Sequence, residues 1–257
     1  MNFDEKTGRI LIEGLHNARD LGGMTAKDGK VTAYHRLIRS DALDHLSDTA
    51  VTELSSYPVG AVIDLRSEDE AENHPDRILC DPRFTYYNIP LLRINADDIN
   101  TGIIVDTIKT SLGHLYVWMF ENSKPYFAEV FRTILKEQGK TVLFHCAHGK
   151  DRTGLIAAIF YLLCGVERKK VIENYAVSYD YVKDLVAPLI AATAPNVHHI
   201  YKSDASNMEM LLDHLDEKYH GDIRNFLTSC ELSSGEIEEL RKILLPYFFY
   251  FIIPVSG

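Results

Sequence analysis

Apolar positions along this chain change rhythm from strand to helix, and the change predicts the architecture. Val59–Leu65 (VGAVIDL) is a nearly continuous β-branched run, the pattern of a strand buried on both faces. Arg9–Glu13, Leu37–Arg39, Phe84–Leu91 and Thr141–Phe144 are shorter runs read as strands. Helical spacing appears after Ser47, a predicted N-cap for a helix through Ser55. It recurs in Pro125–Glu137, apolar at 127, 130, 131, 134 and 135 with the proline early. Leu155–Leu163 is apolar nearly all round, as expected of a buried helix. From Lys169 the chain reads helical, through Ser206–Tyr219 and Asp222–Leu227 to Ile237–Leu245, where Ser233 and Glu236 form a capping-box signature. Asn95–Ser111 is weakly patterned and reads as a loop or lid with a short helix, and residues 95–123 as a whole are the candidate lid.

Strands alternating with helices predict an α/β fold. No linker or repeat divides the chain, so residues 1–257 are expected to form a single domain whose helical C-terminal portion, 178–245, packs on the sheet. Composition agrees: 257 residues, 46% apolar and 25% charged, supply an ordinary core. The net charge of −10 removes any general attraction to nucleic acid or an anionic membrane, so an anionic substrate needs a local basic pocket. The N-terminus lacks the apolar run of a signal peptide, and Tyr247–Ile253 is too short to span a bilayer. A cytoplasmic protein without stable membrane insertion is expected. Four cysteines, Cys80, Cys146, Cys164 and Cys230, lie far apart without a CxxC pair, which argues against a disulfide framework or structural zinc. His198–His199 lacks metal-site spacing and is expected in a surface loop. No metal and no cofactor are expected.

The chemistry concentrates in His145–Gly154, HCAHGKDRTG. Thr141–Phe144 is the strand, Ala147–Arg152 the loop and Leu155 onward the helix. Cleaving a phosphate ester requires many donors around the non-bridging oxygens, and backbone N–H groups at a helix N-terminus supply them together with the helix dipole. The amides of Ala147, His148, Gly149 and Lys150 would cradle the phosphate. Gly149 and Gly154 would allow positive φ or close approach to the anion. Cys146 sits where a helix N-terminus and nearby cations favour a thiolate. Arg152, six residues on, can grip two phosphate oxygens. Lys150 adds a point charge, and Thr153 can hydrogen-bond the thiolate. The predicted reaction is attack by Cys146 on phosphorus, then hydrolysis of the cysteinyl-phosphate by water, without metal. The competing interpretation is a buried structural cysteine followed by a solvated charge cluster; agreement of seven positions at a strand-to-helix junction favours the phosphate loop. Neither GxxxxGK[ST] nor GxGxxG is present.

These residues resemble the loop of the atypical bacterial protein-tyrosine phosphatases with combined tyrosine, serine/threonine and phosphoinositide activity. The resemblance extends to Asn17–Gly23 (NARDLGG), Leu37–Ser40 (LIRS), Val62–Ser67 with Glu70, and the closing helix Ser233–Leu245. It implies a cysteine-phosphatase fold, a central largely parallel sheet flanked by helices with the loop at a strand's C-terminal end. It also implies Cys146 as nucleophile, Arg152 as phosphate binder, Lys150 as a charge favouring phosphoinositides and Asp151 as general acid. The Trp-Pro-Asp loop that carries the acid in conventional relatives is absent, since the one tryptophan, Trp118, precedes Met119-Phe120. Asp64, Asp97 and Asp98 are the alternative acids. Arg19, Asp20, Arg39, Asp64 and Arg66 are expected to form a buried ion-pair network that positions the loop, with Cys80, Cys164 and Cys230 in the core. The expected partner is a phosphorylated protein or a phosphoinositide; a non-catalytic phosphate-binding module is the alternative from another class.

Overall fold

In the computed structural model, which describes residues 2–4, 7–93, 102 and 109–246, the strands form one seven-stranded sheet. They are β1 (Asn2–Asp4), β2 (Arg9–Leu11), β3 (Arg19–Asp20), β4 (Leu37–Ser40), β5 (Val59–Asp64), β6 (Thr85–Asn88) and β7 (Thr141–His145), in spatial order β1-β2-β3-β4-β7-β5-β6. The strands β4, β7, β5 and β6 are mutually parallel, and β1 to β3 extend β4 as an antiparallel ribbon. The sheet is thus parallel where it is buried and antiparallel at one edge. The register pairs Ser40 and Asp64 with His145 on either side of β7, so three parallel strands end level, just where Cys146 begins.

The helices are α1 (Asp48–Ser56), α2 (Glu68–Asn73), α3 (Leu112–Asn122), α4 (Lys124–Lys136), α5 (Arg152–Leu163), α6 (Arg168–Ala176), α7 (Ser178–Ala191), α8 (Ala205–Tyr219), α9 (Ile223–Ser229) and α10 (Ser234–Leu244). Successive strand side chains point to opposite faces, and β7 divides accordingly. Val142 and Phe144 join the larger core with Leu155, Ile156 and Phe160 of α5. Leu143 joins the smaller one with Ala50, Val51 and Leu54 of α1. Ten of the twelve residues of α5 are buried, because the helix is enclosed by the sheet and by α6, α9 and α10. Ser47 accepts from the Ala50 N–H, and Ser233 and Glu236 make both bonds of the capping box.

The structure differs from the sequence expectations at several points. Helix α5 begins at Arg152, three residues before the predicted apolar run, because the polar residues of the motif wind into its first turn. Of the candidate lid 95–123, residues 95–101 and 103–108 lie outside the described residues, Asp97 and Asp98 among them. Residues 112–122 form α3, anchored in the core by Leu112, Tyr116, Met119 and Phe120. The histidine pair sits in a 3-10 helix, Pro195–Tyr201, rather than a loop. Cys80 is exposed, whereas Cys164 and Cys230 are buried. The apolar run Tyr247–Ile253 lies outside the described residues, among which no helix is long and apolar enough to cross a membrane.

Candidate active site

Residues 146–151 link β7 to α5 in a tight turn whose carbonyls at 147, 148 and 149 are held by groups outside it. The Ala147 carbonyl accepts from the Ala42 N–H at 3.2 Å. The Asn17 side-chain amide donates to the carbonyls of His148 and Gly149, both at 3.0 Å, and Arg39 donates to Gly149 at 2.7 Å. Turning each carbonyl out turns the following N–H in. Among the described residues, no protein acceptor takes the N–H groups of Ala147–Asp151. Gly149 makes the turn with φ of +65°, and a Cβ there would stand 2.5 Å from the Ser40 carbonyl oxygen. Only glycine fits both demands. Gly154 is helical, and a Cβ on it would lie 3.2 Å from the Tyr175 ring.

The helix end is equally open to an anion. Asp151 occupies the N-cap of α5 but makes no side-chain cap hydrogen bond. Its carboxylate is drawn sideways, accepting a very short hydrogen bond from the Tyr116 hydroxyl and two contacts from Lys150 Nζ at 3.1 and 3.0 Å. Tyr116 in turn touches Tyr175, which meets Asn207. The uncapped first-turn amides and the helix dipole therefore face the loop's hollow. Cys146 is buried at 2% exposure, and the buried Thr153 hydroxyl has no hydrogen-bond partner.

The cations divide into two kinds. Arg152 is held by a bidentate pair with Glu70, at 2.6 and 2.9 Å. Burial would raise the Glu70 carboxyl, but Arg152 and the Ser67 N–H together lower it to about 2. Glu70 also closes a capping box with Ser67, so one carboxylate starts α2 and aims Arg152. Lys150 behaves otherwise. Its ammonium is 1% exposed, and its three hydrogens are taken by Asp151 and by the carbonyls of Ile200 and Lys202 at 2.7 and 3.0 Å. The expected point charge therefore has all three hydrogens already bonded within the protein. His148 lies beside the cavity, its imidazole held below the usual value by burial and by Lys150.

The expected ion-pair network separates into two parts. Arg66 bridges Asp64 and Asp76 at 2.7 and 3.0 Å, and His145 approaches Asp76 at 2.9 Å. Burial alone would lower the His145 pKa, but Asp76 and Asp64 outweigh it, so the imidazole is raised above its ordinary value. Asp64, Asp76 and His145 have metal-ligand spacing, but Arg66 already bonds both carboxylates. Asp64 is fully buried, and both of its oxygens already accept hydrogen bonds, from Arg66 and from Tyr86. Asp20 accepts from Gly22, His35 and Tyr57. Arg19 and Arg39 make no ion pair among the described residues; carbonyl, amide and hydroxyl oxygens hold them instead. Burial pushes the Cys164 and Cys230 thiols up to about 12, which makes them inert beside Cys146.

A cavity of about 370 Å³ opens beside the loop at Ala147 and His148. Helix α7 gives it an apolar wall of Leu185, Pro188 and Leu189. Sequence reasoning did not single out Tyr116, Asp76 or Asn17 as parts of the site, because each acts from a distant element. Glu70 was legible, since the Ser67-to-Glu70 spacing is itself a capping-box signal.

The profile described as "Tyrosine phosphatase family" matches residues 10–246. A tyrosine-protein phosphatase of Nostoc commune is 37% identical over 146 residues, 57% of this chain; the chain spans about half, 49%, of that relative's length. The triple specificity protein phosphatase PtpB of Mycobacterium tuberculosis is 24% identical across 91% of this chain and 98% of its own. Among solved structures, P. aeruginosa TpbA aligns at a TM-score of 0.40 and 15% identity, covering 77% of this chain and 87% of its own. A match from β2 to the end of α10 takes in every element that shapes the loop, and on that ground the chain belongs to the tyrosine phosphatase family.

Proposed function

We propose that the protein is a cysteine-dependent phosphatase that hydrolyses phosphotyrosine through a cysteinyl-phosphate. The observation that carries this reading is the turn at 146–151, where a buried thiol precedes N–H groups that have no protein acceptor among the described residues, at an uncapped helix end. Such donors stabilise the charge of a phosphoryl group in transfer. Arg152, aimed by Glu70, adds a planar fork for two phosphate oxygens. The apolar wall of α7 suits an aryl ring beside the loop.

Cys146 sulfur attacks phosphorus as the bond to the ester oxygen breaks, and Asp151 delivers a proton to that oxygen. Water then attacks the phosphorus, Asp151 takes its proton, and the sulfur leaves as a thiolate beside the Thr153 hydroxyl. Tyr116 and Lys150 both donate to Asp151 and so fix the position of its carboxyl group. The proton it delivers arrives with the substrate as its monoanion, since phosphate esters lose their second proton near pH 6. Removal of a general acid costs about 10²–10⁴-fold. The Asp151→Asn variant should therefore turn over phenyl phosphate at least about a hundredfold more slowly, with a smaller loss on p-nitrophenyl phosphate, whose leaving group needs less help. Cys146→Ser should abolish both, and full turnover by it would overturn the proposal. The Lys150 hydrogens are already bonded within the protein, so a phosphotyrosine peptide is expected to exceed a phosphoinositide in the same assay.

A further inference from the structure

Four arginines surround the loop, and they are treated differently. Arg66 and Arg152 each meet a carboxylate. Arg19 and Arg39, both 1% exposed, meet none. They share the same neutral partners. Arg19 donates to the Asn174 carbonyl at 2.6 Å and to the Ser178 hydroxyl at 2.8 Å. Arg39 donates to the Asn174 side-chain oxygen at 2.8 Å, with Ser178 at 3.4 Å. The Nε atoms of both have no partner. Burying two neighbouring cations with no carboxylate in contact is costly, with Asp151 and Cys146 acting on Arg39 only from farther off, and a protein that only needed to fix a loop would do better with neutral groups or an added acid.

Resting on the phosphatase reading, we propose that Arg19 and Arg39 are a paired positive charge left without a carboxylate so that the anion in the loop serves as their counter-ion. They are positioning residues that act on the anion through the loop's own peptides. Arg39 reaches the Gly149 carbonyl directly at 2.7 Å, and that carbonyl shares its peptide with the Lys150 N–H. Arg19 reaches Asn17 Oδ1 at 3.0 Å, and the Asn17 amide hydrogens reach the carbonyls of His148 and Gly149. A cation on a carbonyl polarises the peptide, and successive hydrogen bonds reinforce one another. The charge of both arginines is thereby delivered to the N–H groups of Gly149 and Lys150, which face the hollow. Burial pushes Arg39 down to about 10 and lowers Arg19 as well, the latter also through repulsion from Arg39. At about 10, Arg39 is still charged at neutral pH.

Charge and geometry are separated by comparing glutamine, which keeps donors without charge, with lysine, which keeps charge without the fork. Inorganic phosphate is titrated calorimetrically into the unsubstituted protein and into Arg39→Gln, Arg39→Lys, Arg19→Gln and Arg19→Lys. Urea unfolding in phosphate-free buffer is recorded alongside. The glutamine variants should bind phosphate about tenfold more weakly or worse, the scale of a lost charge-assisted interaction. The lysine variants should stay within about threefold of the unsubstituted protein by the same scale. The glutamine variants should unfold at no lower urea concentration than the lysine ones, because removing an unpaired buried charge relieves a cost. Equal affinities for glutamine and lysine variants would overturn the inference and leave a role in loop geometry alone. Should Arg39→Gln not fold, the Arg19 pair, which reaches the loop's carbonyls through Asn17 and makes no direct bond to them, decides the question by the same comparison. If the unsubstituted protein binds no phosphate and phosphate does not protect Cys146 from alkylation, the phosphatase reading itself fails, a result distinct from equal binding by the variants.

Discussion

Gly149→Ala tests whether the loop's shape, rather than its composition, makes the site. Two costs are separable from the structure. The first is conformational: φ is +65°, a left-handed value that costs a residue with a Cβ about 1–2 kcal/mol. The second is steric: the new Cβ would meet the Ser40 carbonyl oxygen at 2.5 Å and the Asp41 nitrogen at 2.6 Å. These are backbone atoms at the end of β4 and cannot rotate away. Relief to an ordinary contact of about 3.5 Å requires the loop to move by about 1 Å. Overpacking of this kind costs about 1–3 kcal/mol, so the sum is about 2–5 kcal/mol. At about 2–4 °C per kcal/mol the Tm should fall by roughly 4–20 °C. A 1 Å displacement of donors that must meet a transferring phosphoryl group costs about 10²-fold in turnover. Gly165→Ala is the matched control, because Gly165 has φ of +78° but nothing within 4 Å of its would-be Cβ. It should lose about 1–2 kcal/mol and keep full turnover. Both variants are followed by thermal unfolding and by p-nitrophenyl phosphate hydrolysis. If Gly149→Ala hydrolysed as fast as Gly165→Ala, the claim that this glycine fixes the donors would be wrong.

Glu70→Gln keeps one acceptor for the Ser67 N–H but loses the ion pair that aims Arg152; kcat/KM for an aryl phosphate should drop about 10–100-fold, and an unchanged value would show that Arg152 is held by other means. Glu70 is lowered to about 2, so the stability it adds is present above the unfolded value of about 4.3 and is lost as pH falls through about 2; acid unfolding of Glu70→Gln should lack that component. His145 is raised, so its contribution is full below its unfolded value of about 6.5 and disappears as pH rises through the folded one. The stability gap between the wild-type protein and Asp76→Asn should accordingly be widest below about pH 6.5 and narrow as the pH rises above it, and a constant gap in urea unfolding would contradict the pairing. Ser233→Ala should cost about 1 kcal/mol by removing a capping bond of α10, without altering turnover.

By itself the sequence determined the elements whose reasons are local. The β-branched run at 59–65, the Ser47 and Ser233 caps and the all-apolar helix after Gly154 were legible because propensity, capping and burial act over a few residues. The turn at 146–151 was legible for the same reason: a short apolar strand, closely spaced glycines and an apolar helix lie at fixed offsets along the chain. What surrounds that loop was decided only by tertiary structure. Lys150 reads as a phosphate-facing charge until Ile200 and Lys202, fifty residues away, capture its ammonium. Asp151 reads as a lone acid until α3 brings Tyr116 against it. Arg19 and Arg39 read as members of ion pairs until the fold gives them Asn174 and Ser178 in place of carboxylates. A side chain's charge is written in the sequence, but its counter-charge is chosen by long-range packing, and electrostatics depends on both.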